Sequence, residues 1–194
     1  MMKRLWYAGI CLLILSQTAI AEDNCPAAEF LKTKLDAVVA VLQKQDLAQE
    51  TKSKQIVEIV TPMFDFELMA KLSLGKQHWP GLTAENKEKF TDLFIKKLRT
   101  SYLNKLTLYT EEKIIYEPPL QVDNKVHIST NLISKDKKIS MLYKFYNSMN
   151  SWKIYDVEIQ GVSIIRSYRS QFSEILKDGT IDDLLLKLEE SVVN

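Results

Sequence analysis

The sequence predicts an α+β fold: one antiparallel sheet of about four strands, with helices from both ends of the chain folded over one face. Three observations point to it. Apolar residues recur at helical spacing from Phe30 to about Leu108, they alternate with polar residues through the middle of the chain, and helical spacing returns after Gly161. Helices first, strands next and helices last is the order of an α+β domain rather than of a parallel α/β sheet.

The N-terminus reads as a leader. Met1-Met2-Lys3-Arg4 is basic, Leu5 to Leu15 is an apolar run too short to span a bilayer, and Ala19-Ile-Ala21 offers a small-x-small cleavage site. Residues 1–21 are therefore expected to be a signal peptide, and residues 22–194 one domain in an exported protein. The full chain carries 26 basic and 25 acidic residues, and loss of Lys3 and Arg4 leaves 24 and 25, a formal charge of −1. So balanced a charge argues against nucleic acid as a partner and against electrostatic adhesion to anionic membranes. Cys11 falls in the leader, which leaves Cys25 alone near a disordered terminus, with no lipobox before it and no disulfide within the chain.

The elements follow in order. Pro26 suits a first helical turn, and Phe30, Leu31, Leu35, Val38, Val39 and Leu42 predict a helix to about Leu47. A second helix fits Lys52 to Val60 and is interrupted by Pro62; a third fits Phe64 to Leu74 and ends near Gly75. Thr83 is placed to cap a long helix with the face Phe90, Leu93/Phe94, Leu98, Tyr102 and Leu106. Lys113 to Glu117 reads as a strand stopped by Pro118-Pro119. Val126, Ile128, Thr130 and Leu132 form a dry face against the wet face of Lys125, His127, Ser129 and Asn131. Ile139 to Tyr146 and Trp152 to Ile159, joined by a polar loop, complete an antiparallel meander. Gly161 is a corner leading into a helix from Val162 to Lys177, and Thr180 caps a last helix with Asp182 and Asp183 at its negative-favouring end.

The chemistry of catalysis is not written in the chain. It has no HExxH, CxxC or GxSxG, and its five glycines form neither a Walker loop nor a dinucleotide fingerprint. His78 and His127 have no second histidine at ligand spacing. The acid pairs Glu111-Glu112, Asp182-Asp183 and Glu189-Glu190 read as solvated or helix-end charge. No enzyme, cofactor or metal is expected. Asp156, inside an apolar strand, reads as a hydrogen-bonded structural group with a nearby Arg or Tyr as partner. By periodicity alone, the large apolar side chains of helices and strands either fill an ordinary core or line a cavity between the layers.

The wording of several blocks narrows this. Trp152-Lys-Ile-Tyr-Asp-Val157, Gly161-Val-Ser163 and Ser167-Tyr-Arg-Ser-Gln-Phe172 resemble the strand, corner and helix of the MlaC (toluene-tolerance) family of periplasmic phospholipid-binding proteins. Phe64-Asp-Phe-Glu-Leu-Met-Ala-Lys-Leu-Ser-Leu-Gly75 with Trp79, the run Phe90, Phe94, Leu98, Tyr102, Leu106, Tyr109, and Gly179-Thr-Ile-Asp-Asp-Leu-Leu185 are similar to further pieces of that family in the same order. Gln160 stands where the family pattern carries an acid, which puts a salt bridge there in doubt. The resemblance implies an apolar pocket for phospholipid acyl chains, with the head group near its mouth. It also implies docking to an inner-membrane ABC lipid transporter complex and an outer-membrane lipoprotein complex; a monomer is expected.

On that reading the pocket is lined by Phe94, Leu98 and Tyr102 of the long helix, Met141, Tyr143 and Phe145 of the sheet, and Val162, Ile165 and Tyr168 of the penultimate helix. Arg169 is the head-group candidate, because a guanidinium matches phosphate geometry; the alternative is a structural bond to the sheet edge or to Asp156. A second reading is a periplasmic carrier or chaperone for another hydrophobe, such as a hopanoid, a fatty acid or a lipoprotein tail. A third, a small hydrolase, would need a convergent polar triad.

Overall fold

The computed structural model describes residues 25–103, 112–134, 137–149 and 151–193. The predicted leader, the expected end of the long helix near Leu108 and the predicted face position Leu106 lie outside the described residues. Among the described residues there are six helices and one six-stranded sheet, and no helix is long and apolar enough to cross a membrane.

Helix α1 spans Pro26–Leu42, with Pro26 in its first turn and Cys25 at the cap position. Cys25 is half-buried against the core rather than free at a loose end. The helix stops short of Leu47 because its apolar face ends at Leu42; Gln43 to Asp46 are exposed and give it nothing more to bury. Helix α2 spans Gln49–Val60. Its Lys52 is buried and donates from Nζ to the carbonyl of Leu42 at 2.9 Å, closing the end of α1. Helix α3 spans Phe66–Leu74 and begins two residues later than the sequence predicts. Asp65 explains the shift: its carboxylate accepts from the amide of Leu68 at 2.9 Å, while its own amide donates to Ile154 of the sheet at 3.0 Å. Gly75 ends α3 at φ 84°, where a side chain is disfavoured. Helix α4 spans Ala84–Leu98, capped by Thr83 as predicted, and continues as a π-turn over Arg99–Leu103.

The strands are β1 (Glu112–Tyr116), β2 (Leu120–Val122), β3 (Lys125–Ser134), β4 (Lys137–Ser148), β5 (Ser151–Ile159) and β6 (Val162–Ser163). The order is β1-β3-β4-β5-β6, with β2 also on β3, and every pairing is antiparallel. The four longer strands are those predicted. Pro118 and Pro119 stop β1 as predicted, because proline has no amide to donate to the ladder, and beyond them the short, unpredicted strand β2 pairs with β3 again.

The predicted dry face holds. Val126 pairs with Phe145, Ile128 with Tyr143 and Thr130 with Met141, and all but the half-buried Met141 are buried. Asn131 departs from the wet face: it is buried, and its Nδ2 donates to Glu117 of the neighbouring edge at 2.9 Å. In β5 a bulge sets Asp156 opposite Lys144 but Ile154 opposite Phe145. Ile154 and Val157 are therefore both buried on the core face although three residues apart, which strict alternation forbids.

Gln160 and Gly161, at φ 51° and 78°, form a two-residue hairpin turn before β6, so the corner is a short hairpin rather than a direct entry into a helix. Gln160 makes no salt bridge; its side-chain amide bonds Ser140 Oγ at 2.9 Å and the carbonyl of Lys138 at 3.0 Å. Helix α5 spans Ile164–Asp178 and helix α6 Ile181–Val193. Thr180 and Asp183 cap α6 reciprocally, with Asp183 accepting from the Thr180 amide at 2.8 Å and donating its own to Thr180 Oγ1 at 3.2 Å. The helices cover one face of the sheet and share a single apolar core with it.

Candidate functional site: an aromatic layer between two helices and the sheet

α4 and α5 meet through aromatic rings that the 3–4 spacing of each helix aligns. Phe94 meets Tyr168 edge-on at 5.3 Å between ring centroids, Phe90 meets Phe172 at 5.4 Å, and Tyr168 and Phe172 lie at 5.5 Å. On the sheet side Phe145 is packed edge-on by Phe30 of α1 at 6.5 Å. The predicted residues Phe94, Leu98, Tyr143, Phe145, Ile165 and Tyr168 are all buried in this core, and Tyr102 and Met141 are half-buried against it.

Two predicted residues are not brought there. Val162 belongs to β6, not to the helix, and is 60% exposed. Arg169 is exposed on α5, and its guanidinium donates to the carbonyl of Leu72 from Nε at 2.8 Å and from Nη2 at 2.5 Å. It binds the end of α3 beside Gly75, neither the sheet edge nor Asp156. Two open depressions mark the surface of α5. One, of about 490 Å³, lies beside Ser170, Gln171, Glu174 and Ile175; the other, of about 340 Å³, lies beside Gly161, Val162, Ser163, Arg166 and Ser167.

The layer is graded along α4. At the Phe90 end Trp79 packs edge-on at 6.3 Å between ring centroids; at the other, Tyr168 donates to Ser101 Oγ at 3.4 Å, with Tyr102 on the same π-turn. Burial raises the phenols of Tyr102 and Tyr168, so both stay neutral donors at physiological pH. Tyr143, deeper in the sheet, is pushed by burial up to about 12.

α5 is held to the sheet by Asp156. Its Oδ1 accepts from the amide of Ile165 at 3.2 Å, and its Oδ2 accepts from Ser163 Oγ at 2.8 Å and from Lys144 Nζ at 3.0 Å. The partners are thus a lysine, a serine and a backbone amide rather than an arginine or tyrosine. Lys144 also pairs with Glu158 at 2.6 Å, and Arg166 reaches the same carboxylate at 3.2 Å. The bond from Lys144 holds Glu158 below the usual carboxylate range against the opposing pull of burial. Burial works against the Lys144 charge too, but the bonds to Glu158 and Asp156 outweigh it and raise its pKa. No group of acidic, histidine or cysteine side chains among the described residues is arranged to hold a metal ion.

Residues 32–190 match the family model for the MlaC protein. The chain belongs to the MlaC family. The MlaC protein of Haemophilus influenzae, the binding protein of an intermembrane phospholipid transport system, is 26% identical over 192 residues, covering 92% of this chain and 86% of that protein. The fold is also that of a phospholipid-binding protein from Ralstonia solanacearum solved in complex with a phospholipid. The TM-score is 0.79 at 25% identity, over 86% of this chain and 97% of the other. This MlaC family chain therefore shares its α+β architecture with a structure that holds its lipid. Lys144 and Ser163, which hold Asp156, are not distinguished by spacing from the polar residues around them.

Proposed function

We propose that this chain is a periplasmic phospholipid carrier, the soluble component of an ABC-type lipid transport system that shuttles lipid between the inner and outer membranes. The observation that carries the reading is the correspondence, along most of both chains, with a family structure that contains a phospholipid. Acyl chains lie between the sheet and the α4–α5 layer, against Phe94, Leu98, Tyr102, Met141, Tyr143, Phe145, Ile165 and Tyr168. The energetics fit a carrier, since each buried CH₂ contributes about 0.8 kcal/mol and two long chains contribute on the order of 20 kcal/mol.

Burial on that scale makes spontaneous unloading slow, and the chain has no nucleotide-binding motif. Release is therefore driven by docking to partners, an inner-membrane transporter complex and an outer-membrane lipoprotein complex. The leader at residues 1–21 directs the single domain of residues 22–194 to the periplasm.

The test is mass spectrometry of lipid extracted from protein purified from the periplasm. Two-chain phospholipid near one per protein is expected, and it should stay bound when loaded protein is mixed with acceptor vesicles alone. Protein that carries no phospholipid, or that gives it up to vesicles at once, would overturn the carrier reading.

A further inference from the structure

The helices and one side of the sheet make the core, and the other side of the sheet faces away from it. Ile115, Leu120, Ile133 and Leu142 stand on that outer side by register, and none of them belongs to the core. Leu120 is 63% exposed and Ile115 41%. The balanced total charge argues against adhesion of the chain as a whole to anionic membranes, but it says nothing of where the charges lie. The outer side is rich in lysine. Lys113 and Lys138 flank Ile133 in one row across the strands, and Lys125 and Lys153 flank Tyr146 in another.

The carboxylates on this side are answered within the fold. Glu117 accepts from Asn131 at 2.9 Å, Glu158 from Lys144 and Arg166, and Asp156 from Ser163, Ile165 and Lys144. The four lysines of the two rows are left without them. Lys153 donates to the carbonyl of Pro62 at 2.7 Å, and Lys125 lies 5.0 Å from the centroid of the Tyr155 ring. Lys113 and Lys138 are exposed and make no ion pair among the described residues. Tyr155 in turn meets the Tyr146 ring edge-on at 6.2 Å and His127 Nε2 at 3.4 Å. Lysine and tyrosine, apolar in body and polar at the tip, are side chains that settle at a boundary between water and an apolar phase. The two rows lie about 26 Å apart along β3, at the usual rise of a strand. A fixed acidic side chain is met by donors gathered at one place. Point charges on flexible stems, spread over a sheet with apolar side chains between them, match negative charge that is itself spread and mobile. An anionic bilayer has such a surface, and it attracts each lysine brought near it.

We propose that the outer side of the sheet rests on anionic phospholipid bilayers, with Lys113, Lys125, Lys138 and Lys153 over the head groups and Leu120 and Ile115 dipping between them. The bilayer then lies across the sheet from the aromatic layer, so docking leaves the layer closed. The proposal stands apart from the carrier reading: a chain that carries no phospholipid could still dock, and a carrier that does not dock would still hold its lipid.

The experiment is co-sedimentation of protein purified from the periplasm with sucrose-loaded vesicles of dioleoyl phosphatidylglycerol or of dioleoyl phosphatidylcholine, at low salt. Wild-type protein should partition onto the phosphatidylglycerol vesicles at least about tenfold more strongly, and added salt should release it. Each lysine should account for about fivefold, so Lys113→Gln/Lys138→Gln should bind about 25-fold more weakly and Lys125→Gln, in the other row, about fivefold more weakly. Leu120→Ser, outside the core, should lose about tenfold. Lys54→Gln/Lys177→Gln removes the same charge from exposed positions on α2 and α5 and should bind as wild type does. The comparison of vesicles and the salt series use wild-type protein alone, so they stand whatever a substitution does to the fold. Equal binding to the two kinds of vesicle, or no binding to phosphatidylglycerol, would overturn the proposal and leave the carrier reading as it is. An equal loss in Lys54→Gln/Lys177→Gln would overturn the placement on the sheet in favour of overall charge. Full binding by Lys113→Gln/Lys138→Gln with an unchanged melting temperature would overturn it as well, and would leave this side of the sheet to an acidic protein.

Discussion

Asp156 is the point at which the sheet controls the aromatic layer, and its removal is the sharpest test of the fold. Its carboxylate is 8% exposed and accepts from Ile165, Ser163 and Lys144. In Asp156→Ala the Ile165 amide and the Ser163 hydroxyl lose their acceptor, at about 1–3 kcal/mol for each buried group left unpaired. Lys144 keeps Glu158 at 2.6 Å, so the third loss is partial. The two losses sum to about 2–6 kcal/mol, a span centred on the roughly 3–5 kcal/mol of breaking one partner of a buried pair, which we take as the expected cost. Asp156→Asn keeps an oxygen for the Ile165 amide but turns a donor or a neutral oxygen towards Lys144, and should cost about 2 kcal/mol. With a urea slope of about 2 kcal/mol/M, the midpoint should fall by roughly 1.5–2.5 M for Ala and about 1 M for Asn. The assay is urea unfolding followed by far-UV circular dichroism, with an unchanged slope as the check that only stability moved. A loss below about 1 kcal/mol in Asp156→Ala would refute the account, since the start of α5 would then be held by packing alone.

Further perturbations follow from the same contacts. Gly75→Ala should cost about 1–3 kcal/mol by calorimetry through backbone strain alone. The new Cβ would meet nothing closer than Arg169 at 3.9 Å, while φ 84° and ψ 170° are almost confined to glycine. Lys52→Met keeps the buried stem and removes the bond to the Leu42 carbonyl, so urea unfolding should show a loss of about 1–3 kcal/mol. His127 lies beside Tyr155, Lys144, Lys125, Glu158 and Asp156, and burial followed by the Lys144 charge depresses its pKa. A depressed folded value means the unfolded chain binds the proton more readily. The contribution is therefore present above the ordinary histidine value of about 6.5 and lost as pH falls through the folded value. Melting temperature should drop more steeply below pH 6.5 in wild type than in His127→Gln, and parallel curves would exclude this histidine as the cause.

Much of the fold was legible because it rests on local chemistry. Thr83 and Thr180 cap helices wherever the chain places them, since a hydroxyl two or three residues from a free amide needs no distant partner. The alternation of β3 showed which of its residues face the core, while that of β4 separated two faces without saying which is inward. What was not legible depends on another part of the chain. The bulge in β5 exists only as a register against β4, and the shortened start of α3 only because Phe64 and Asp65 lie against Ile154. The end of α1 is set locally, since the apolar face stops at Leu42 and Gln43 to Asp46 have nothing to bury, but the bond from Lys52 that closes the Leu42 carbonyl was not legible.

The site was legible in part, and the reason bears on how such carriers are read. An aromatic residue that lines a pocket and one that fills a core obey the same periodicity, because burial favours both in the same way. Phe94 and Tyr168 could be placed on the inner faces from spacing, but spacing holds nothing that separates packing from lining. Charge is different, because a buried charge is costly until it is answered. The sequence offered Arg169 within a family-like motif. The fold takes Arg169 out of that role, because its guanidinium donates to the carbonyl of Leu72 from both Nε and Nη2. A guanidinium turned to a backbone carbonyl of another helix is held there by the fold, and such a pairing, made across 97 residues, leaves no mark in the spacing of the chain.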